Sequence, residues 1–155
     1  MKIRNLENKD AIYMLEWMKD MELVKHMNTN FADKTLKDCE NFIKSSQENE
    51  KSKHWAIVDE NDEYMGTVSL KNIERNRAEF AITIRRIAMG KGYSRYGMTE
   101  CIKYAFNNVG VKKVYWYVNS ANECAVRFYE KNGYQRYDGE KEFPVLNDEE
   151  DYIWY

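Results

Sequence analysis

The chain reads as an α/β protein, a twisted mixed β-sheet with helices on both faces, and three observations predict it. Residues 77–84 alternate cleanly, with Phe80, Ile82 and Ile84 on one side and Glu79, Ala81 and Thr83 on the other. Residues 92–108 carry a polar stripe, Arg95, Thr99, Lys103 and Asn107, at four-residue spacing on an otherwise largely apolar circumference. Two alternating segments, 54–59 and 64–70, flank the polar turn Glu60-Asn61-Asp62-Glu63 as a hairpin would. The element order β-α-α-α-β-β-β-α-β-α-β-β follows, and such an order packs helices on both sides of one sheet.

The elements fall in sequence as follows. Residues 2–7 alternate as a first strand. Asn8-Lys9-Asp10 offers a cap, and Ala11, Met14, Leu15 and Met18 recur at helical spacing. A short second helix spans 22–27. Thr35-Leu36-Lys37-Asp38 is a capping box with Asp in place of Glu, and Leu36, Cys39, Phe42 and Ile43 mark the apolar side of the helix that it opens. After the hairpin and the strand at 77–84, a glycine-containing turn enters the long helix 92–108. Residues 113–118 form a strand with Val114, Trp116 and Val118 facing one way. Residues 122–132 form a helix stopped by Gly133, a residue suited to a left-handed cap. Residues 134–137 and 152–155 complete the sheet, joined by an acidic connection through Pro144.

Composition limits what such a protein does. At 155 residues the chain is long enough for one domain, 1–155, and too short for two ordinary ones. A hydrophobic content of 43% with 32% charged residues describes a soluble globular protein. The net charge of -2 argues against nucleic acid as a partner. No apolar run approaches the ~20 residues that span a bilayer, so no membrane association is expected. Met1-Lys2-Ile3-Arg4-Asn5-Leu6-Glu7 lacks a signal-peptide apolar stretch, and a cytoplasmic location is expected. Cys39, Cys101 and Cys124 are scattered and make no pair with His26 or His54, so reduced, buried thiols are expected and no metal site.

The chemistry concentrates between Glu79 and Tyr134. Met89-Gly90-Lys91-Gly92-Tyr93-Ser94 lies between a strand and a helix N-terminus, where unpaired amides and the helix dipole bind phosphate oxygens. Two other phosphate loops are excluded. The spacing G-x-x-x-x-G-K-[ST] is absent, and Arg95 stands where G-x-G-x-x-G requires its third glycine. Taken alone, the two glycines would mark only a flexible loop.

A second block strengthens the reading. The run Val118-Asn119-Ser120-Ala121-Asn122-Glu123-Cys124-Ala125-Val126-Arg127-Phe128-Tyr129-Glu130-Lys131-Asn132-Gly133-Tyr134 resembles the V-x-x-x-N-x-x-A-x-x-x-Y-E-K-x-G-[FY] block of the GNAT superfamily of N-acetyltransferases. Residues 89–94 resemble that family's [QR]-x-x-G-x-[GA] signature, departing at Met89 and Ser94. The resemblance covers residues 78–137 most closely, and two motifs at the expected separation are more specific than either alone.

The resemblance implies an acetyl-CoA-dependent N-acetyltransferase acting on a primary amine in a ternary complex, with acetyl-CoA as cosubstrate and no metal. In such a fold two central strands splay apart and the pantetheine arm lies between them. The backbone of Ile82, Thr83 and Ile84 would then pair with that arm, and Met89, Gly90, Lys91, Gly92, Tyr93 and Ser94 would hold the pyrophosphate. Tyr129 stands at the position of the general acid and also contacts the coenzyme. Its other reading is a core aromatic on an amphipathic helix. Asn122 would bond the coenzyme arm, cap its helix, or do both. Glu79 is the candidate general base, and a cross-strand partner for Lys or Arg is its other reading.

The acceptor is less constrained. Leu15-Glu16-Trp17-Met18 resembles members acting on amino sugars of nucleotide-sugar pathways or on protein N-termini, and Trp17, Met18 and Met21 lie where the family lines its acceptor pocket. Ordinary core packing is the competing explanation for Trp17 and Met18. Acidic side chains from Glu74, Glu79 or 148–151 would suit a cationic amine. An edge strand near the C-terminus offers a homodimer contact. A catalytically inert acyl-CoA-binding sensor and an interaction domain are the alternatives on the same fold, with Tyr129 and Glu79 speaking against the first.

Overall fold

A computed structural model describes residues 1–27, 29–138 and 151–155, which form two compact units, Met1–Val114 and Tyr115–Tyr155. The strands are β1 (Lys2–Asn5), β2 (Lys53–Val58), β3 (Tyr64–Lys71), β4 (Arg77–Ile84), β5 (Lys113–Tyr115), β6 (Tyr117–Asn119) and β7 (Tyr152–Trp154). The helices are α1 (Ala11–Met18), α2 (Met21–Val24), α3 (Leu36–Ser46), α4 (Tyr93–Tyr104) and α5 (Glu123–Lys131).

In the first unit β1 to β5 lie side by side in sequence order, and β1 through β4 pair antiparallel. The amides of Lys112 and Lys113 both donate to the Asn76 carbonyl, at 2.9 and 3.0 Å. The starts of β4 and β5 therefore lie at the same end of the sheet, which makes the sheet mixed. The helical crossover through α4 is the length that a parallel neighbour requires.

Register decides which side chains share a face. Thr67 opposes Thr83, Ser69 opposes Ala81, and Lys71 opposes Glu79, while His54 opposes Ser69. These small and polar residues make one face. Trp55, Ile57, Val68, Leu70, Phe80 and Ile82 alternate onto the other, against which α4 packs. A Cβ on Gly97 of α4 would stand 2.3 Å from Ile57 Cδ1, so glycine lets this helix approach the sheet closely. On the first face Ala56, Val58 and Tyr64 pack with Leu6, Met14, Trp17 and Met18 of the N-terminal region and with Cys39 and Ile43 of α3.

Local chemistry explains the element ends. Thr35 and Asp38 close the expected capping box on α3, with Thr35 Oγ1 accepting from the Asp38 amide at 3.2 Å and Asp38 Oδ2 accepting from the Thr35 amide at 2.8 Å. Asp10 does not cap α1. A 3₁₀ turn over 8–10 intervenes, and the buried Asp10 carboxylate takes two hydrogen bonds from Arg4, at 2.8 and 2.9 Å. The second helix is shorter and earlier than expected, because Asp20 accepts from the Leu23 amide and starts it at Met21. The hairpin turn holds, with the Asp59 amide bonded to the Glu63 carbonyl. The long helix ends in a wider π turn over 105–109 before Gly110.

The second unit departs from the sequence reading in two places. The expected strand 113–118 is two strands, β5 in the five-stranded sheet and β6 paired antiparallel with β7. Trp116 exchanges both backbone bonds with Tyr155 instead, at 3.1 and 2.9 Å. Residues 134–137 form no strand, although the Tyr137 amide donates to the Trp154 carbonyl at 2.7 Å. Gly133, at φ 84°, ends α5 as expected. Pro144 and the acidic connection lie outside the described residues.

Candidate active site

A cleft of about 330 Å³ opens in the first unit on the small-residue face of the sheet. His54, Thr67, Ser69, Lys71, Ala81 and Thr83 form its floor, and Ile82 borders it. Met14, Trp17 and Met18 of α1 wall one side, and Phe31, Lys34, Asp38, Cys39 and Phe42 wall another. Alternation along β3 and β4 puts short side chains here, and short side chains over a sheet leave volume that long ones would fill.

Polar groups on the floor are held in pairs. His54 Nδ1 and Ser69 Oγ lie 2.7 Å apart, and the imidazole stands edge-on to Phe42 at 4.7 Å. Burial, with Lys71 adding to it, lowers the His54 pKa to about 4, so the ring is neutral near pH 7. Trp17 Nε1 donates to the Tyr64 hydroxyl at 3.0 Å, and that hydroxyl meets Thr67 Oγ1 at 2.6 Å. This chain locks the indole against the sheet, while Phe31 packs on its edge at 5.0 Å.

The candidate base has a partner. Glu79 is 7% exposed, and its Oε2 lies 3.1 Å from Lys71 Nζ across the strand pair. The cross-strand reading of Glu79 is thus realised in this structure. Thr83 lies on the cleft face, while Ile82 borders the cleft from a position that alternates, like Ile84, onto the opposite face, where Ile84 Cδ1 would lie 2.6 Å from a Cβ on Gly66.

Beyond β4, a 3₁₀ turn at 86–88 delivers the chain to Met89 and the glycine turn. Gly90 and Gly92 take φ of 73° and 89°, a region that costs a side-chain-bearing residue ~1–2 kcal/mol. The first α4 bond runs from the Tyr96 amide to the Gly92 carbonyl, at 3.0 Å. The amides of Tyr93, Ser94 and Arg95 therefore have no acceptor inside the helix. No side chain caps Gly92, and the first turn holds no acidic residue. A positive, uncapped helix end beside exposed Lys91 and half-exposed Met89, with open space at Gly90, fits a diphosphate. Tyr93 turns its ring into the interior instead.

The remaining candidates belong to the second unit. Asn122 Oδ1 accepts from the Ala125 amide at 3.2 Å, so its capping role is present. Tyr129 is 8% exposed within a cluster formed by Trp116, Phe128 and Tyr155, with ring centroids 5.2–5.4 Å away. Burial, reinforced by Tyr155 and Tyr134, raises its pKa and keeps the phenol protonated.

Several expectations are corrected. Met21 is 62% exposed and does not line the cleft, and Glu74 pairs with Arg77 on the surface. Leu36 and Phe42 are exposed rather than buried on α3. Cys124 is exposed, unlike Cys39 and Cys101. Asp148 lies outside the described residues. The residues that sequence reasoning missed are Lys34, His54, Thr67, Ser69 and Lys71. Three of them, Thr67, Ser69 and Lys71, occupy every second position of a strand that is otherwise apolar or glycine, a signal of a polar floor that was available in the sequence. Among the described residues no group of three or more His, Cys, Asp or Glu is placed to hold a metal ion, and no helix is long and apolar enough to cross a membrane.

The sequence profile of the acetyltransferase (GNAT) domain matches residues 1–135. Acetyltransferase PseH of Campylobacter jejuni is 26% identical over 145 residues, 92% of this chain and 89% of its own length. An uncharacterized N-acetyltransferase, p20, of Bacillus licheniformis is 27% identical over 139 residues, 86% of this chain and 78% of its own. The fold matches spermidine N-acetyltransferase of Vibrio cholerae, solved with CoA and spermine, at a TM-score of 0.82 and 21% identity over 99% of this chain and 92% of that one. The chain belongs to the acetyltransferase (GNAT) domain family and is an acetyl-CoA-dependent N-acetyltransferase.

Proposed function

We propose that this protein moves the acetyl group of acetyl-CoA directly to the primary amine of a small molecule, an amino sugar or nucleotide-linked amino sugar, within a ternary complex. A protein N-terminus is the alternative acceptor. The observation that carries the proposal is the cleft lined by Ala81, Ile82 and Thr83, the last two belonging to the 82–84 segment whose backbone is expected to pair with the coenzyme arm. An acceptor in that cleft would lie beside the strand that presents the thioester.

The chemistry assigns a task to each group. The amine must lose a proton from its ammonium form, pKa ~10.4 for a lysine-like amine, before its lone pair can attack the carbonyl carbon. Glu79 is the proposed base, acting in concert with Lys71, its ion-pair partner. As the nitrogen–carbon bond forms, charge collects on the carbonyl oxygen, and a backbone amide of the 82–84 segment is the proposed donor to it. The carbon–sulfur bond then breaks and the thiolate leaves. Tyr129, kept protonated by burial, is the proposed donor to that sulfur. The turn 89–94 and Asn122 are the proposed binding groups for the diphosphate and the coenzyme arm.

The Vibrio cholerae structure contains spermine. Polyamine transfer is not the reading favoured for this chain, because among the described residues Asp38 is the only carboxylate lining the cleft.

A panel of amines with a thiol-release readout tests the proposal, with Tyr129→Phe as the control. The variant should lose most of its turnover while keeping the thermal shift produced by acetyl-CoA, about 2.7 kcal/mol at a hundredfold excess over Kd. Release of thiol that requires none of the panel amines would refute the assignment, and the absence of a thermal shift would favour an interaction domain.

A further inference from the structure

We infer that the acceptor cleft selects an amine whose ring scaffold carries an anionic group, held by Lys34, and rejects acceptors that are cationic at both ends. The inference deepens the proposed acetyl transfer and rests on it only for the identity of the reacting amine.

The charges lining the cleft are unequal. Two ammonium groups, Lys34 and Lys71, stand against one carboxylate, Asp38. The Asp38 carboxylate is already engaged, since its Oδ2 accepts from both the Thr35 amide and the Thr35 hydroxyl, at 2.8 and 3.0 Å. Lys71 is likewise engaged, by Glu79. Lys34 forms no salt bridge among the described residues, and its side chain is half-buried at the cleft wall. It lies beyond salt-bridge distance of Asp38, whose pKa it helps to lower, and is the cation in the cleft that a ligand anion can pair. His54 contributes no positive charge near neutral pH, and its Nδ1 is taken up by Ser69.

The rest of the wall is apolar and largely aromatic. Trp17, Phe31 and Phe42, with Met14 and Met18, surround the opening, and Trp17 is fixed by its bond to Tyr64. Flat, fixed rings suit the apolar face of a sugar or another ring better than a flexible chain. A linear diamine would place its second ammonium against aromatic walls beside Lys34, facing a single carboxylate, Asp38, whose Oδ2 Thr35 already holds. An anion on the scaffold would meet Lys34 in a partly desolvated site, where a charge-assisted hydrogen bond is stronger than in water.

Matched acceptors test this. Glucosamine, glucosamine 6-phosphate, muramic acid and putrescine share a primary amine and differ in the second charge. The protein should turn over the anionic amino sugars with kcat/KM about tenfold above glucosamine, a difference of about 1.4 kcal/mol. The phosphate and carboxylate arms identify which anion it prefers. Lys34→Ala should reduce that preference to near unity, and Lys34→Arg should restore it. Equal rates for glucosamine and both anionic partners, a preference for putrescine, or a preference that survives Lys34→Ala would each overturn the inference. If none of the amines is acetylated, calorimetric titration of glucosamine 6-phosphate into the intact protein and Lys34→Ala still decides it. Binding weakened about tenfold by the substitution supports the anion subsite while the acetyl-transfer reading fails on its own, and no binding or equal binding overturns the subsite.

Discussion

The Arg85 guanidinium and the Glu16 carboxylate face each other through two parallel hydrogen bonds, Nε to Oε1 and Nη2 to Oε2, each 3.0 Å long. Arg85 also donates to the Tyr64 carbonyl at 2.9 Å and lies over the Tyr13 ring at 4.3 Å. One residue later, Arg86 makes a second forked pair with Asp20, at 2.8 and 2.7 Å. Arg85 thereby ties α1, which walls the cleft, and Arg86 ties the N-cap of α2, to the segment that leads into the glycine turn.

Glu16→Ala should therefore cost more than a surface ion pair. It leaves the buried Arg85 with a backbone carbonyl and a more distant Glu63 at 3.7 Å. A loss of about 1–2 kcal/mol is expected by urea unfolding. Arg86→Ala, which removes the exposed member of the second pair and leaves the Asp20 cap on α2, should shift the midpoint less. Equal midpoints for wild type and Glu16→Ala would remove Arg85 from this role.

Gly66→Ala probes the strand that supports the cleft floor. A Cβ at Gly66 would lie 2.5 Å from the Thr83 carbonyl oxygen, which belongs to backbone and cannot swing away. Overpacking of this kind costs about 1–3 kcal/mol. The variant should melt earlier and bind acetyl-CoA more weakly than the wild type. Unchanged coenzyme binding in a folded Gly66→Ala protein would separate Thr83 from the coenzyme site.

His54 shapes the acid limb of stability. Its native pKa is about 4, below the ~6.5 of an exposed imidazole. As pH falls from 6.5 toward 4, the unfolded chain binds a proton that the native state refuses. Stability then drops by up to ~1.4 kcal/mol per pH unit, and the drop ceases below pH 4. His54→Gln should lose this part of the slope, measured as the urea midpoint at half-unit intervals. Parallel profiles for the two proteins would show that His54 titrates alike in both states.

The three thiols should react unequally. Burial pushes Cys101 up to about 12 and raises Cys39 as well, whereas Cys124 is exposed. Under native conditions a thiol-exchange reagent should modify Cys124 rapidly and the other two only on unfolding, since the thiolate is the reactive form. Rapid labelling of two sites in the native protein, counted by intact mass, would contradict the described burial.

Most of the element list was legible in the sequence because it rests on local rules. The alternation of 77–84, the four-residue stripe of α4, the Thr35–Asp38 box and the cap at Gly133 each depend on neighbours within one turn or one strand. The break at Trp116 was not legible. Val114, Trp116 and Val118 alternate as one strand would, but Trp116 exchanges backbone bonds with Tyr155, almost forty residues away. The glycine turn was legible by position alone, since Gly90 and Gly92 sit at a strand-to-helix junction. Its uncapped, acid-free helix end then emerged from the described geometry.

By itself, the sequence determined the family and the turn expected to grip the coenzyme, since both are written in contiguous residues whose spacing survives any packing. The tertiary structure alone decided what the cleft contains. His54, Ser69 and Ala81 come from three different strands and become one row only when register aligns them. Lys34 and Phe31 join that row from a segment more than twenty residues upstream in the chain. Charge and shape in a cleft are sums over such distant contributors, and no local pattern records a sum taken across strands.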